Sequence, residues 1–244
     1  MVDSVDGNKR IPKIPAFILA RSGSKRLPGK NIKPFAGKAL ICHTFECAKK
    51  SKYLSEIFLS TDNRKIATLG HRSKISVPFL RPKALAKDRT TSREVLKYTI
   101  KRLEKNLAKK FEAFVLLQPT SPLRMPGDIN RSIEIFWRER ADGVVSVVKS
   151  VHPKSWLKLI QNGRLVDVPN EKTLRAIKKR RRKTYIPNGA VYVYTRRYLF
   201  QKAKQKQLKI LPFVMPQERS IDIDTFFDFW LAEKLFMKQH ARKR

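Results

Sequence analysis

The chain has 244 residues, 41% of them hydrophobic, which suffices for a substantial core in one or two domains. Fifty-five Lys and Arg stand against 20 Asp and Glu, a formal net charge of +35. Such a charge attracts polyanions without selecting among them. No apolar run approaches the roughly 20 residues of a helical membrane span, which excludes one.

The opening "MVDSVDGNKRIPK" lacks the apolar core of a signal peptide. A tail over 1–13 and a cytoplasmic location are expected. Residues 14–20 read as a buried strand, a short apolar run closed by a Gly-containing loop. A helix is expected over 39–50. It carries Cys42 and Cys47, whose spacing suits free thiols in a reducing compartment and no zinc site. Second and third strands are expected over 56–62 and 74–80, and a helix over 92–109. The apolar run 113–118 reads as a central strand, 128–140 as a helix and 143–149 as a fifth strand. Strands alternating with helices predict an α/β fold with a mostly parallel sheet.

The rhythm breaks after Ser150. Residues 151–186 read as an insertion that ends in the basic run "KKRRRK", 178–183. A strand resumes over 189–195, followed by a short helix over 198–206, a strand over 208–215, and a closing helix over 225–240. One domain over 14–244 holds all of this.

In an open α/β sheet, ligands bind beyond the carboxyl ends of the strands. The loop after the first strand, 21–33, holds two Arg, three Lys, two Gly and no acid. Gly23 and Gly29 permit close backbone approach. Arg21 offers paired bonds to phosphate oxygens, and Lys30 a point charge. The loop is neither a Walker A nor a G-x-G-x-x-G sequence. It reads either as a phosphate cradle or as a solvated basic loop. The other strand tips, Ser60-Thr61-Asp62, Arg81-Pro82 and 118–124, are also polar.

Near the end stands "SIDID", 220–224. On an extended segment Asp222 and Asp224 share one face, which suits a hard divalent cation alongside phosphate oxygens. The other reading makes Asp224 the cap of the last helix. Asn188-Gly189 is an ordinary turn signal. The four histidines show no metal-ligand spacing, and no nucleophile motif is present. Without a helix-turn-helix, zinc-finger or RNA-binding signature, only non-specific nucleic-acid binding is expected from the charge.

Six stretches occur together in order: "ILARSGSKRLPGKNIKPFAGK", "STD", "VPFLRPKALAKD", "LLQPTSPLR", "NGAVYV" and "SIDID". In combination they resemble the N-acylneuraminate cytidylyltransferases, the CMP-sialic acid synthetases, over about 14–233. The resemblance implies a Rossmann-like nucleotide-sugar transferase fold with a dimerisation insertion. It implies CTP-dependent activation of a nine-carbon 2-keto sugar acid, of N-acetylneuraminate or legionaminate type, with release of pyrophosphate. It places Arg21, Ser22, Gly23, Lys30, Asn31, Arg81, Thr90 and Ser92 around CTP. It places Gln118, Thr120, Ser121, Asn188, Gly189 and Tyr192 around the sugar, and Mg²⁺ on Asp222 and Asp224. Arg21, Lys30 and the two aspartates would carry the chemistry, and the enzyme would be a homodimer. Where the family carries an Arg-Gln pair before the Asn-Gly turn, this chain reads "IKKRRRKTY", with Lys178 or Arg180 in the place of the Arg. The competing implication is a catalytically weakened relative that binds polyanions.

Overall fold

In the computed structural model, residues 10–151, 184–200 and 208–241 are described, together with the backbone of 158–161 and 164–167. The expected tail lies largely outside the described residues, as do the basic run 178–183 and most of the insertion. Of the insertion, the described residues include an antiparallel pair, β7 (Lys158–Gln161) with β8 (Arg164–Asp167).

The elements preceding it are β1 (Ile14–Ala20), a small hairpin of β2 (Pro34–Phe35) and β3 (Lys38–Ala39), α1 (Leu40–Lys49), β4 (Leu54–Thr61), α2 (Arg64–Arg72), α3 (Ser92–Leu107), β5 (Ala113–Leu117), α4 (Pro126–Arg138) and β6 (Gly143–Lys149). After it come β9 (Tyr185–Thr195), α5 (Arg196–Phe200), β10 (Ile210–Val214) and α6 (Phe226–Ala241). Six strands form one sheet in the order β10-β6-β9-β5-β1-β4. β9 runs antiparallel to both neighbours, and the other pairings are parallel. The α/β fold with a mostly parallel sheet expected from the sequence is the one observed.

Side chains alternate across the sheet, as strand geometry requires. Ala16 and Ile18 of β1, with Val115 and Leu117 of β5, pack with Ile41 and Phe45 of α1 and Ile129 and Ile133 of α4. Phe17 and Phe114, one residue out of step, join Leu96, Ile100 and Leu103 of α3 on the other face. A third cluster lies beside the sheet edge. It joins Leu27, Phe35 and Leu40 to Leu123, Ile223 and Phe229, and so ties the first loop to the segment before α6.

Two expectations are corrected, one helix is added and one boundary moves. Residues 74–80 form no strand: they touch β4 through two isolated bridges, Phe58–Ser76 and Thr61–Leu80. Pro78 lacks the N–H a ladder needs, and Lys74 sits at φ 54°. Asn188-Gly189 is no terminal turn. It lies inside β9, opposite a register shift between Val145 and Val147, and Gly189 takes φ +75° there. The α2 helix went unread in the sequence, although Asn63 caps it by accepting from the Ile66 N–H. The helix expected over 198–206 begins at Arg196, and 201–207 lie outside the described residues.

Candidate active site

The carboxyl ends of β1 and β5 open into one cleft of about 530 Å³. Its walls come from the loop after β1, the segment 81–92, the loop after β5 and the segment before α6. Of the polar tips expected to converge, those after β1 and β5 and Arg81 line the cleft, while the β4 tip supports it through Asp62.

The loop after β1 is fixed at two points. Leu27 is buried in the third apolar cluster, which stabilises it by roughly 1.5–3 kcal/mol for a full-sized aliphatic side chain. Gly29 then reverses the chain at φ 65°, a conformation that costs other residues energy. Lys30 follows, only 8% exposed. Its ammonium group donates to the Ile223 carbonyl and lies 3.2 Å from an Asp224 carboxylate oxygen. Asn31 donates to the Arg21 carbonyl at 3.0 Å and so holds the loop's start against its end. Nothing lies within 4 Å of where a Gly23 Cβ would stand, so the backbone there is open to the cleft.

Three of the loop's other cations are paired. Arg21 meets one oxygen of Asp88 at 2.8 Å, and Lys25 meets the other at 2.7 Å. Arg26 reaches Asp224 at 3.1 Å. The sequence reading gave Asp88, Lys25 and Arg26 no role. A lone acid in the basic run "RPKALAKD" is the signal that marks Asp88.

Ser22 faces elsewhere. Its backbone N–H donates to Asp62 at 3.0 Å and its hydroxyl donates to the second oxygen of the same carboxylate. Asp62 also accepts from Arg81 at 3.3 Å, with both side chains almost fully buried. Burial opposes the Asp62 charge, but the two Ser22 bonds and Arg81 outweigh it and lower the pKa. Ser22 is therefore a strut between β1 and β4, and Arg81 borders the cleft while held by Asp62. Thr90 and Ser92 line the same wall. Between them Thr91 caps α3 through a reciprocal pair of bonds with Glu94.

The acid pair is held from beneath. Ile223 is fully buried, and its N–H donates to the Thr120 carbonyl at 2.9 Å. Asp222 and Asp224 flank it and line the cleft. Asp224 does not cap α6. Thr225 does, accepting from the Asp228 N–H at 3.2 Å while Asp228 accepts from Thr225. Asp224 is thereby left to face the cleft. Asp222 opens to solvent through the cleft mouth, yet its pKa is raised, first by the surrounding protein and then by the Asp224 charge, against a Thr120 hydrogen bond that favours ionisation.

This pair fits a Mg²⁺ ion shared with phosphates, which takes only one or two protein carboxylates. A cation there would relieve the mutual repulsion that raises Asp222. Among the described residues, no group of three or more His, Cys, Asp or Glu forms a fuller metal cage.

The remaining residues named from the sequence divide in two. Gln118 and Thr120 line the cleft. Gly189 lies beneath them: a Cβ there would stand 2.6 Å from the Gln118 amide oxygen and 3.5 Å from the Asp222 carboxyl carbon. Tyr192 is bonded to the Gly189 backbone, and its pKa is raised by burial and by the Asp222 charge. Ser121 and Asn188 are buried. Ser121 donates to the Asn188 carbonyl at 3.3 Å. The Asn188 amide donates to Ser220 at 2.9 Å and accepts from Ser146 at 2.6 Å. These two side chains position the cleft floor and do not reach into it.

Arg124, at the end of the motif "LLQPTSPLR", turns inward and is 4% exposed. It donates to the carbonyls of Gln118 and Ala190 at 3.2 and 2.7 Å and to the Thr44 hydroxyl at 2.9 Å. Its charge braces the Gln118 loop against β9 and α1.

A family model described as "Cytidylyltransferase" matches residues 16–241. The chain is 37% identical over 227 residues to the CMP-N,N'-diacetyllegionaminic acid synthase of Legionella pneumophila, covering 91% of this chain and 96% of the relative. It is 30% identical to the N-acylneuraminate cytidylyltransferase of Escherichia coli, covering 95% of this chain and 54% of that protein, so it spans about half the length of that longer relative. Among solved structures, a CMP:2-keto-3-deoxy-manno-octonic acid synthetase complexed with CTP superposes with a TM-score of 0.67 at 17% identity, covering 93% of this chain and 99% of the other. That likeness is one of fold. With the family match running from β1 into α6, and the cationic loop and acid pair gathered in one cleft, this chain belongs to the cytidylyltransferase family.

Proposed function

We propose that the protein transfers the cytidylyl group of CTP to a nine-carbon 2-keto sugar acid, of N-acetylneuraminate or legionaminate type, releasing pyrophosphate. One observation carries this reading. Lys30 joins the cationic loop after β1 to the acidic segment before α6 through the Ile223 carbonyl and Asp224. The cationic loop and the acid pair thus meet in one cleft of about 530 Å³. The names of the Legionella and Escherichia relatives supply the substrate class.

In this reading Arg21 and Lys30 neutralise the CTP phosphates, and Gly23 lets them approach the backbone. Asn31, Arg81, Thr90 and Ser92 border the nucleoside. Gln118 and Thr120 face the sugar, with Gly189 and Tyr192 forming the floor beneath it. The anomeric hydroxyl attacks the α-phosphorus while pyrophosphate leaves in line. The residues contribute chiefly position and charge neutralisation. Asp222 and Asp224 would hold Mg²⁺, which when bound offsets the negative charge that builds on the phosphates.

A cytoplasmic homodimer completes the proposal, with the insertion over 151–186 as the dimer contact. Light scattering at working concentration tests it, and a monomer would remove it. No helix among the described residues is long and apolar enough to cross a membrane. The activity is tested by pyrophosphate release, with CTP, ATP, GTP and UTP each offered alongside N-acetylneuraminate or N,N'-diacetyllegionaminate. Release that requires CTP and one sugar acid supports the reading. Equal release with any nucleotide, or release without a sugar acid, contradicts it.

A further inference from the structure

The four cations of the first loop that face the cleft are held by two carboxylates from opposite walls. Arg26 and Lys30 hold Asp224. Arg21 and Lys25 hold Asp88, one cation on each oxygen, at 2.8 and 2.7 Å. The two grips differ in kind. Lys30 is buried, with its side chain 10% exposed. The Asp88 grip is open: the side chains of Arg21, Lys25 and Asp88 are 38%, 82% and 44% exposed. Asp88 also lines the cleft itself. Hydrogen bonding to Lys25 and Arg21 lowers its pKa, so it is an anion at neutral pH.

A carboxylate with a cation on each oxygen presents the same pattern as a phosphate group between two cations. We propose that Asp88 is a resident anion, occupying in the free protein the Arg21–Lys25 seat that a substrate phosphate takes, so that binding displaces it. This inference rests on the phosphate-site reading above and deepens it. Exposed ion pairs are individually weak and exchange readily with solvent, which makes this contact, unlike the Lys30 one, displaceable. The consequence is a built-in competitor. It weakens the grip on any ligand that takes this seat. It also keeps an open, strongly basic cleft from filling with stray anions.

The test is direct binding of inorganic tripolyphosphate, measured by calorimetry at fixed ionic strength, to the wild type, Asp88→Asn, Asp88→Glu and Arg21→Gln. Asp88 is exposed, and matching thermal melts establish that each variant is folded. Asp88→Asn is expected to bind about threefold to tenfold more tightly, from exposed ion pairs of this kind, Asp88→Glu to bind near the wild-type level, and Arg21→Gln more weakly than the wild type. A tightening is a result that loss of a structural contact does not give. Weaker or unchanged binding by Asp88→Asn, with binding by the wild type intact, overturns the resident-anion role and leaves the phosphate site standing. No binding by any of the four proteins overturns both.

Discussion

Replacing Gly189 by Ala tests the floor of the cleft. The backbone there has φ +75°, which costs a residue with a Cβ about 1–2 kcal/mol. The added methyl would stand 2.6 Å from the Gln118 amide oxygen and 3.2 Å from the Ser121 hydroxyl. The Gln118 amide is the end of a flexible side chain, so it rotates away at small cost in stability. Ser121 is fully buried and bonded, and gives by a few tenths of an ångström. The expected loss is therefore about 1–2 kcal/mol, which lowers the melting temperature by roughly 2–8 °C in a protein of this size. The kinetic effect should be larger, because the displaced group is one that the proposed reading sets against the sugar. Catalytic efficiency toward the sugar acid should fall about tenfold or more, with the KM for CTP little changed. Scanning calorimetry and steady-state kinetics with each substrate varied in turn read both quantities. A variant that melts lower yet keeps its sugar kinetics would refute the placing of Gln118 and Gly189 at the sugar site.

Asp222→Asn and Asp224→Asn should each lower turnover on the order of 100-fold or more and raise the Mg²⁺ concentration needed for half-maximal rate; a wild-type Mg²⁺ titration in either variant removes the metal assignment. Arg124→Met leaves two buried carbonyls and the Thr44 hydroxyl without their donor, which should cost about 2–4 kcal/mol, seen as a lower urea midpoint; an unchanged midpoint would show that water replaces the guanidinium. Asp62 has a folded-state pKa below its unfolded value. Its contribution is then fully present above the unfolded pKa, about 3.9, and is lost as pH falls through the lower folded value. Between pH 5 and pH 3 the wild type should therefore lose more stability than Asp62→Asn, and parallel pH profiles from denaturant titrations would deny Asp62 that part.

The sheet was legible because its strands are short apolar runs bounded by Gly or polar tips. The cleft was legible because "RSGSKRLPGKN" and "SIDID" stand out by composition. What escaped reading has physical reasons. The run 74–80 has the β-branched and aromatic residues of a strand, yet only Ile75 is buried and it meets β4 at just two bridges, because Pro78 and the positive φ of Lys74 interrupt a ladder. Asn188-Gly189 has turn composition because Gly189 needs a positive φ, which a strand interior with a bulge supplies as well as a turn. Ser22 and Asn188 looked like ligand contacts in a motif, yet their polar groups are occupied by Asp62 and by Ser146 and Ser220. Only the fold shows which partner each takes. Of the two readings of Asp224, the helix cap falls away because Thr225 and Asp228 cap each other. Arg124, also at a strand tip, is an internal brace because its charge finds the backbone carbonyls of Gln118 and Ala190.

Phosphorus NMR of the wild-type protein with CTP, Mg²⁺ and N,N'-diacetyllegionaminate or N-acetylneuraminate tests the central claim most directly. The account predicts that the triphosphate signals give way to one phosphodiester and one pyrophosphate in equal amounts, with at least one of the two sugar acids. CTP that stays intact with both, or that breaks down to CDP and phosphate, would contradict it.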